Sequence, residues 1–417
     1  MDADAPQPQH DGARQRPVRR RHVLYLSGFD PQGPAHYHAL YAAEAAQQAR
    51  ASGYLVSVGK RYRLGTNAAW DVHWTSSGES VETCYEFLRW DDIVRAHWPR
   101  GQGRLLRVTL ATTARLIWNG SLWRIWQTSW PAFLALAMPA ALVASGGAVL
   151  VGLITLFSAS VIGAVGGWGA ITALALAWPL AHLASVAQRK VQMAWLMRSA
   201  SVVIQQARGR MPALELRLDA FAQRLLDVCR MTSVDEVLVI GHSSGAMLAA
   251  SVVARALRRD PSLAHTSSKL SMLTLGECIP LLSYQPEAHG FRDELAVLRS
   301  HLGLNWVDVT APPDGCCFAL VDPTEVVEDG LPESQRRPGG PKRVSPRFAQ
   351  CFSPETYVKV RRDKYRCHFQ YLMAVERPGT YDFFLLSAGP QTLQEKFAHQ
   401  PPVLRFDDFR CFGGPRR

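Results

Sequence analysis

Val234-Asp235-Glu236-Val237-Leu238-Val239-Ile240 runs directly into Gly241-His242-Ser243-Ser244-Gly245 and on into Ala246-Met247-Leu248-Ala249-Ala250-Ser251-Val252-Val253-Ala254. The first segment is the short apolar run expected of a parallel strand buried on both faces, and the last keeps Met247, Leu248, Val252 and Ala256 on one helical face. Between them the spacing Gly-x-Ser-x-Gly predicts a sharp strand-to-helix turn. A serine lifted out of such a turn needs small neighbours two residues to either side, where backbone would otherwise strike side chains. Ser243 is therefore the candidate nucleophile; the competing reading is a tight turn of small residues with a structural use alone.

A serine hydroxyl is nearly inert at neutral pH, so it needs a general base within reach and a carboxylate to fix that base's tautomer. Beyond the predicted helix the histidines are His265, His289, His301, His368 and His399. His368, in Tyr365-Arg366-Cys367-His368-Phe369-Gln370-Tyr371, follows the last predicted loop and is the best-placed base. Carboxylates that serve open parallel sheets lie just past strand carboxyl ends. Asp314 follows the predicted strand 305–310 in that way, with Asp322 and Asp308 as the alternatives. The oxyanion of an acyl-transfer intermediate needs two N–H donors. Ser244 supplies one, and the turn Ser27-Gly28-Phe29 after the first apolar strand supplies the other through Phe29.

These residues, together with Leu273-Thr274-Leu275-Gly276 and Phe369-Gln370-Tyr371, make the chain resemble the α/β-hydrolase superfamily, lipase-like branch. The likeness is strongest to bacterial membrane-anchored members with no assigned substrate. It implies a mostly parallel sheet with helices on both faces, a nucleophile–acid–histidine order met by Ser243, Asp314 and His368, and no cofactor or metal. Ala246 stands where many lipases carry a second glycine, which leaves the substrate class open.

No Lys, Arg, Asp or Glu occurs between Arg124 and Arg189, and His182 is the only ionisable side chain from Pro131 to Ala187. A bilayer span needs about 20 apolar residues, so this stretch accommodates two helices, 132–157 and 161–183, joined around Ser158-Ala159-Ser160. Trp118, Trp123, Trp126 and Trp130 at its entry and Trp195 past its exit match the aromatic belts of membrane interfaces. Arg100, Arg104, Arg107, Arg115 and Arg124 precede it, and Arg189, Lys190 and Arg198 follow. That bias predicts both flanks in the cytoplasm and an inner-membrane location. The competing reading is an apolar cap folded over a lipase-type site.

The expected organisation is a basic disordered tail (1–20), a first part of the hydrolase domain (21–115), an inserted transmembrane hairpin (116–190) and a second part bearing the nucleophile (195–417). The remaining expected elements are a strand at 22–26, a helix at 38–49, a strand at 54–62, helices at 212–229 and 291–302, strands at 270–275 and 305–310, and a surface loop at 323–346. Trp90-Asp91-Asp92 reads as a capped, solvated helix start.

With 46 Lys+Arg against 35 Asp+Glu in 417 residues, the net charge of +11 suits nucleic acid or an anionic membrane surface. No paired CxxC, Gly-rich phosphate loop or basic-aromatic strand supports nucleic acid. The eight cysteines lack metal-ligand spacing and read as reduced thiols. The sequence thus predicts a serine hydrolase acting on a lipophilic acyl ester at the lipid bilayer, against a rival non-catalytic membrane scaffold that keeps the fold for binding. Thioester and amide substrates use the same machinery.

Overall fold

The computed structural model describes residues 17–404 except 100, 162, 164–170, 173–174, 177–178, 180–192, 266–268, 330, 333–334, 336–337 and 380. Nine strands form one mixed, mostly parallel sheet: β1 (Arg20–Leu26), β2 (Leu55–Val58), β3 (Tyr62–Leu64), β4 (Asn67–Ser76), β5 (Glu79–Phe87), β6 (Glu236–His242), β7 (Lys269–Leu275), β8 (Asn305–Val309) and β9 (Lys342–Val344). Their order is β2-β4-β5-β1-β6-β7-β8-β9, with β3 beside β4. From β5 to β9 every neighbouring pair is parallel, so the carboxyl ends of β1, β6, β7 and β8 share one edge.

The apolar run that becomes β6 is buried throughout. Val237 and Val239 pack into one core and Leu238 and Ile240 into the other, as the twofold side-chain period of a strand requires. On the first face lie α7 (Pro212–Cys229), α8 (Gly245–Arg259) and α9 (His289–Ser300), whose Leu218, Leu225, Val252, Val253 and Leu295 are buried there. The second face is covered by α1 (Gly33–Ser52) through Tyr37, Tyr41 and Ala45, and by C-terminal helices carrying Phe383, Phe384 and Leu393. Each Val, Leu or Phe among these withdrawn from water contributes about 1.5–3 kcal/mol before conformational entropy is counted.

Several expectations are corrected here. The expected strand 54–62 is two short strands, β2 and β3, and both pair with β4. The β4–β5 hairpin was not foreseen. Ser77 and Gly78 turn it with φ of 49° and 84°, the geometry of a two-residue turn that matches strand twist. The loop expected at 323–346 contains β9, which extends the sheet beside β8. The basic tail does not reach residue 20: Val18 is buried, and Arg21 sits fully buried against Glu236 at 2.7 Å. Residues 1–16 lie outside the described residues. Helix α2 (Asp91–Ala96) does start at Asp91, yet Asp91 is buried against Arg89 and Arg95 rather than solvated, and Trp90 offers no side-chain cap.

Between β5 and β6 the chain leaves the sheet through α3 (Gln102–Trp118), α4 (Ser121–Thr128) and α5 (Trp130–Val161), returning by α6 (Met193–Ala207). Arg115 pairs with Glu287 and Arg124 with Asp329, while Ser121 Oγ donates to Tyr284 O at 3.0 Å. These contacts seat α3 and α4 on the body. Helix α4 buries Leu122 and Ile125 and turns Trp123 and Trp126 outward; Trp118 is 89 % exposed and Trp130 58 %.

α5 is one helix of 32 residues, apolar and long enough to cross a membrane. Its base is docked, with Ala132, Leu136 and Pro139 buried, whereas from 141 onward it is mostly exposed on all sides. The connection expected at Ser158-Ala159-Ser160 lies inside this helix, because serine and alanine are tolerated there. The left-handed residue that follows it is Gly163, with φ of 81°. The second span expected at 161–183 lies mostly outside the described residues.

Candidate active site

Ser243 sits one residue past the end of β6 with φ of 59°, a left-handed conformation that side-chain-bearing residues rarely adopt and that costs roughly 1–2 kcal/mol. Surrounding structure enforces it. The Ser243 N–H donates to Leu275 O at 2.9 Å, tying the turn to the end of β7. A Cβ on Gly241 would lie 2.6 Å from Ala246 Cα, and one on Gly245 would lie 2.2 Å from Leu26 O, so both glycines are dictated by contact. The predicted turn is present in the form that its spacing demands.

The carboxyl edge brings the other candidates to this serine. The turn after β1 passes so close that a Cβ on Gly28 would lie 3.1 Å from Ser243 Cβ. Phe29 follows, but its N–H is engaged: it donates to Ser244 Oγ at 2.8 Å. The Ser244 N–H, at the start of α8, has no hydrogen bond among the described residues.

Asp314, in the loop after β8, accepts at 2.8 Å from His368 Nδ1. Both side chains are fully buried. The same carboxylate accepts from Tyr371 Oη at 3.1 Å and from the Cys316 N–H at 3.0 Å. Burial alone would raise the Asp314 carboxyl, but the His368 ring and these donors hold it below its usual range. Of the alternatives, Asp308 accepts instead from Thr274 Oγ1 at 2.7 Å and Asp322 is held by Thr324 and Arg299. Neither pairs with a histidine.

With Nδ1 bound to Asp314, the remaining nitrogen of His368 is Nε2, which is buried and makes no hydrogen bond. Ser243 Oγ is not hydrogen-bonded to it; its contact is Cys278 Sγ at 3.8 Å. The two residues are nevertheless close neighbours through His242, whose Nε2 donates to the His368 carbonyl at 2.9 Å and whose ring centroid is 5.0 Å from that of His368. Burial first, and His368 second, push His242 down to about 3, so it stays a neutral spacer.

Sequence reasoning missed three contributors. Cys278 approaches Ser243 from the segment after β7; burial pushes its thiol well up, so it remains a protonated neighbour. Tyr371 spans Asp314 and the Ala311 N–H, which it accepts at 2.9 Å. Its ring occupies the space that a Cβ on Gly276 would fill, at 2.6 Å. Trp195, expected in an interfacial belt, is instead a half-buried part of this site. Its Nε1 donates to Phe29 O at 2.8 Å and its ring lies 5.6 Å from that of His368. A tryptophan beside an apolar segment carries the same sequence signal in either place.

Ser243 opens on a small cavity of about 20 Å³, room for roughly one water, walled by Ala132, Ala135 and Leu136 of α5, Leu196 of α6, and Leu281 and Phe318. Asp314, Cys316 and His368 also present ligand atoms within 4.8 Å of one another. A metal there would have to displace the Asp314–His368 hydrogen bond and deprotonate a thiol that burial pushes well up. The seven described cysteines form no disulfide. No family model, curated protein or solved structure matches the chain.

Proposed function

We propose that the chain is a membrane-anchored serine hydrolase of the α/β-hydrolase, lipase-like type, cleaving a lipophilic acyl ester without a cofactor. The observation that carries this reading is the meeting, at one sheet edge, of a serine held at φ of 59° and a buried His368–Asp314 pair whose Nε2 is unengaged. Strain of this kind persists where the fold over-determines it, and it is concentrated at reactive positions. In the proposed step Ser243 Oγ attacks the acyl carbonyl carbon while His368 Nε2 takes its proton. The N–H groups of Ser244 and Phe29 hold the oxyanion. Collapse breaks the acyl–oxygen bond, and the alcohol leaves with the proton from His368; water then repeats the sequence to release the acid. A rearrangement must bring Ser243 Oγ and His368 Nε2 into hydrogen-bond contact, as is common for sites without substrate.

The membrane reading rests on α5 and its approach. Residues 141–161 provide about 30 Å of apolar helix whose described side chains are mostly exposed, matching a hydrocarbon core of about 30 Å. The tryptophans of α3, α4 and α5 that precede this stretch in the chain face outward, and Trp126 packs on Phe133 at the base of α5, as interfacial side chains do. We place the sheet domain and both termini in the cytoplasm, with a returning second span completing the anchor. Labelling of detergent-solubilised protein with a fluorophosphonate tests the catalytic claim. Wild type should be modified at Ser243 and Ser243→Ala should not; absence of labelling in both would return the chain to the scaffold reading.

A further inference from the structure

Two short runs far apart in the sequence, Leu273-Thr274-Leu275-Gly276 and Phe369-Gln370-Tyr371, meet in the structure. Gly276 follows β7 with φ of 52°, and a Cβ there would lie 2.6 Å from Tyr371 Cε2, so the glycine leaves room for the tyrosine ring. That ring is fully buried, and the Tyr371 carbonyl accepts from Tyr381 Oη at 2.5 Å. The Tyr371 hydroxyl accepts from the Ala311 N–H at 2.9 Å and donates to Asp314 Oδ2 at 3.1 Å, clasping both ends of the turn that carries the acid. The same Oδ2 accepts from His368 Nδ1 at 2.8 Å. His368 and Tyr371 stand one turn apart, on the helix Lys364–Phe369 and the tighter turn Gln370–Leu372 that continues it. One carboxylate oxygen is therefore shared by the candidate base and by a phenol. Burial first, then Cys317 and Asp314, push that phenol well up, so it stays a donor.

We propose that Tyr371 is a positioning residue for His368: its hydroxyl shares Asp314 Oδ2 with the ring, weakens the carboxylate's hold on the protonated imidazole, and so keeps the base free to take up a proton near neutral pH. The inference rests on the serine-hydrolase reading and adds to it the residue that sets the strength of its base. A carboxylate beside a buried imidazole favours the imidazolium. A second donor on the same oxygen draws its charge into two hydrogen bonds, and less of it is left for the ring. Asp314 Oδ1 is taken by the Cys316 N–H at 3.0 Å, so Oδ2 is where the two donors compete. The other groups facing His368 bring no charge of their own. His242 from the end of β6 stays neutral, burial pushes the Cys316 thiol well up, and Trp195 of α6 is uncharged. On the helix of His368 itself, Lys364 donates to Pro313 O and Arg366 to Gln370 Oε1.

The experiment follows the rate of fluorophosphonate labelling of the full chain in detergent from about pH 5 to about pH 9, the range in which a histidine base titrates. In the reaction Ser243 Oγ forms a bond to phosphorus, fluoride leaves, and His368 Nε2 takes the proton. The midpoint of the acid limb therefore reports the protonation of His368. Tyr371→Phe keeps the ring beside Gly276 and removes the hydroxyl alone. Its acid limb should move upward by roughly half to one pH unit, the scale of one hydrogen bond. Site-specific 3-fluorotyrosine in place of Tyr371, a more acidic phenol and a stronger donor, should move the limb downward; this variant decides the matter should Tyr371→Phe fail to fold. Tyr365→Phe, which keeps its ring contacts with Trp195 and Phe369, should leave limb and plateau unchanged. A fall of the plateau with the limb unmoved, or a shift in the same direction in both Tyr371 replacements, would overturn the assignment and leave the hydrolase standing. Absence of Ser243 labelling in wild type at every pH would remove the hydrolase reading itself.

Discussion

The backbone N–H of Phe29 donates to the hydroxyl of Ser244 at 2.8 Å, so one of the two proposed oxyanion donors is engaged by the residue that would supply the other. For Phe29 to reach a substrate oxygen, the Ser244 hydroxyl must rotate away. Ser244→Ala removes the competing acceptor and costs the resting protein about 1 kcal/mol for an unpaired N–H. Fluorophosphonate labelling of this variant should be at least as fast as in wild type. A tenfold or larger decrease would show the Ser244 hydroxyl itself acting as a donor.

Asp314→Asn should preserve the fold and slow labelling by about 10²–10⁴-fold, because an amide no longer holds His368 in the tautomer that leaves Nε2 free to accept. Asp322→Asn, which loses only contacts to Thr324 and Arg299, should change the rate less than threefold. Equal loss in both would place the acid elsewhere.

Gly245→Ala tests the turn. Its Cβ would meet Leu26 O at 2.2 Å, a backbone atom with no freedom to yield. The variant should lose several degrees of melting temperature and most Ser243 labelling. A folded, fully reactive Gly245→Ala protein would mean that β1 and the start of α8 are less closely packed than described.

A pH effect on stability follows from Asp308. Burial, reinforced by Asp322 and offset by Thr274 and Arg343, pushes its carboxyl up to about 7. Because the folded state holds this proton more tightly than the unfolded chain, stability falls as pH rises from about 4 to about 7. Asp308→Asn should flatten that part of the profile. The check is the melting temperature across the window for both proteins.

For topology, a cysteine replacing Ser158, near the far end of α5, should react with an impermeant thiol reagent from the periplasmic side. One replacing Arg208, beyond α6, should react only after the membrane is breached. Bridging residues 140 and 192 with a short Gly/Ser linker should yield a protein that needs no detergent, since the docked base of α5 packs against α6. Reaction at Ser158 from the cytoplasmic side would replace the spanning model with a buried cap.

The elements legible in the sequence are those whose burial is two-sided. β6, β7 and β8 read as apolar runs because each feeds two cores, and α7 matched its expected bounds at Pro212 and Cys229 through its apolar face. β4 and β5 carried an available signal, the alternation Trp70, Val72, Trp74 and Val81, Tyr85, Phe87 about a Ser-Gly turn, which went unread beside the polar residues between them. β9 carried none: Lys342-Arg343-Val344 is short, polar and paired on one side. At the site, chain order and strand ends pointed to Asp314 and His368, and the structure pairs these two at 2.8 Å. Cys278 and Trp195 reach Ser243 and Phe29 through tertiary packing alone, and the rotamer that ties Ser244 to Phe29 leaves no mark in a sequence.

Pro139 stands where α5 changes from docked to exposed. Lacking an N–H, it leaves the Ala135 carbonyl without its helical partner and weakens the rod at that point. A thicker or thinner bilayer changes the tilt that a span of fixed length adopts. With an articulation at Pro139, that tilt is absorbed beyond the joint, while Ala132 and Leu136 keep their places in the wall of the Ser243 cavity. On the membrane-anchored reading, the geometry around Ser243 would then be the same in thick and thin membranes, as a gauge mounted on a gimbal keeps its reading while the mounting moves.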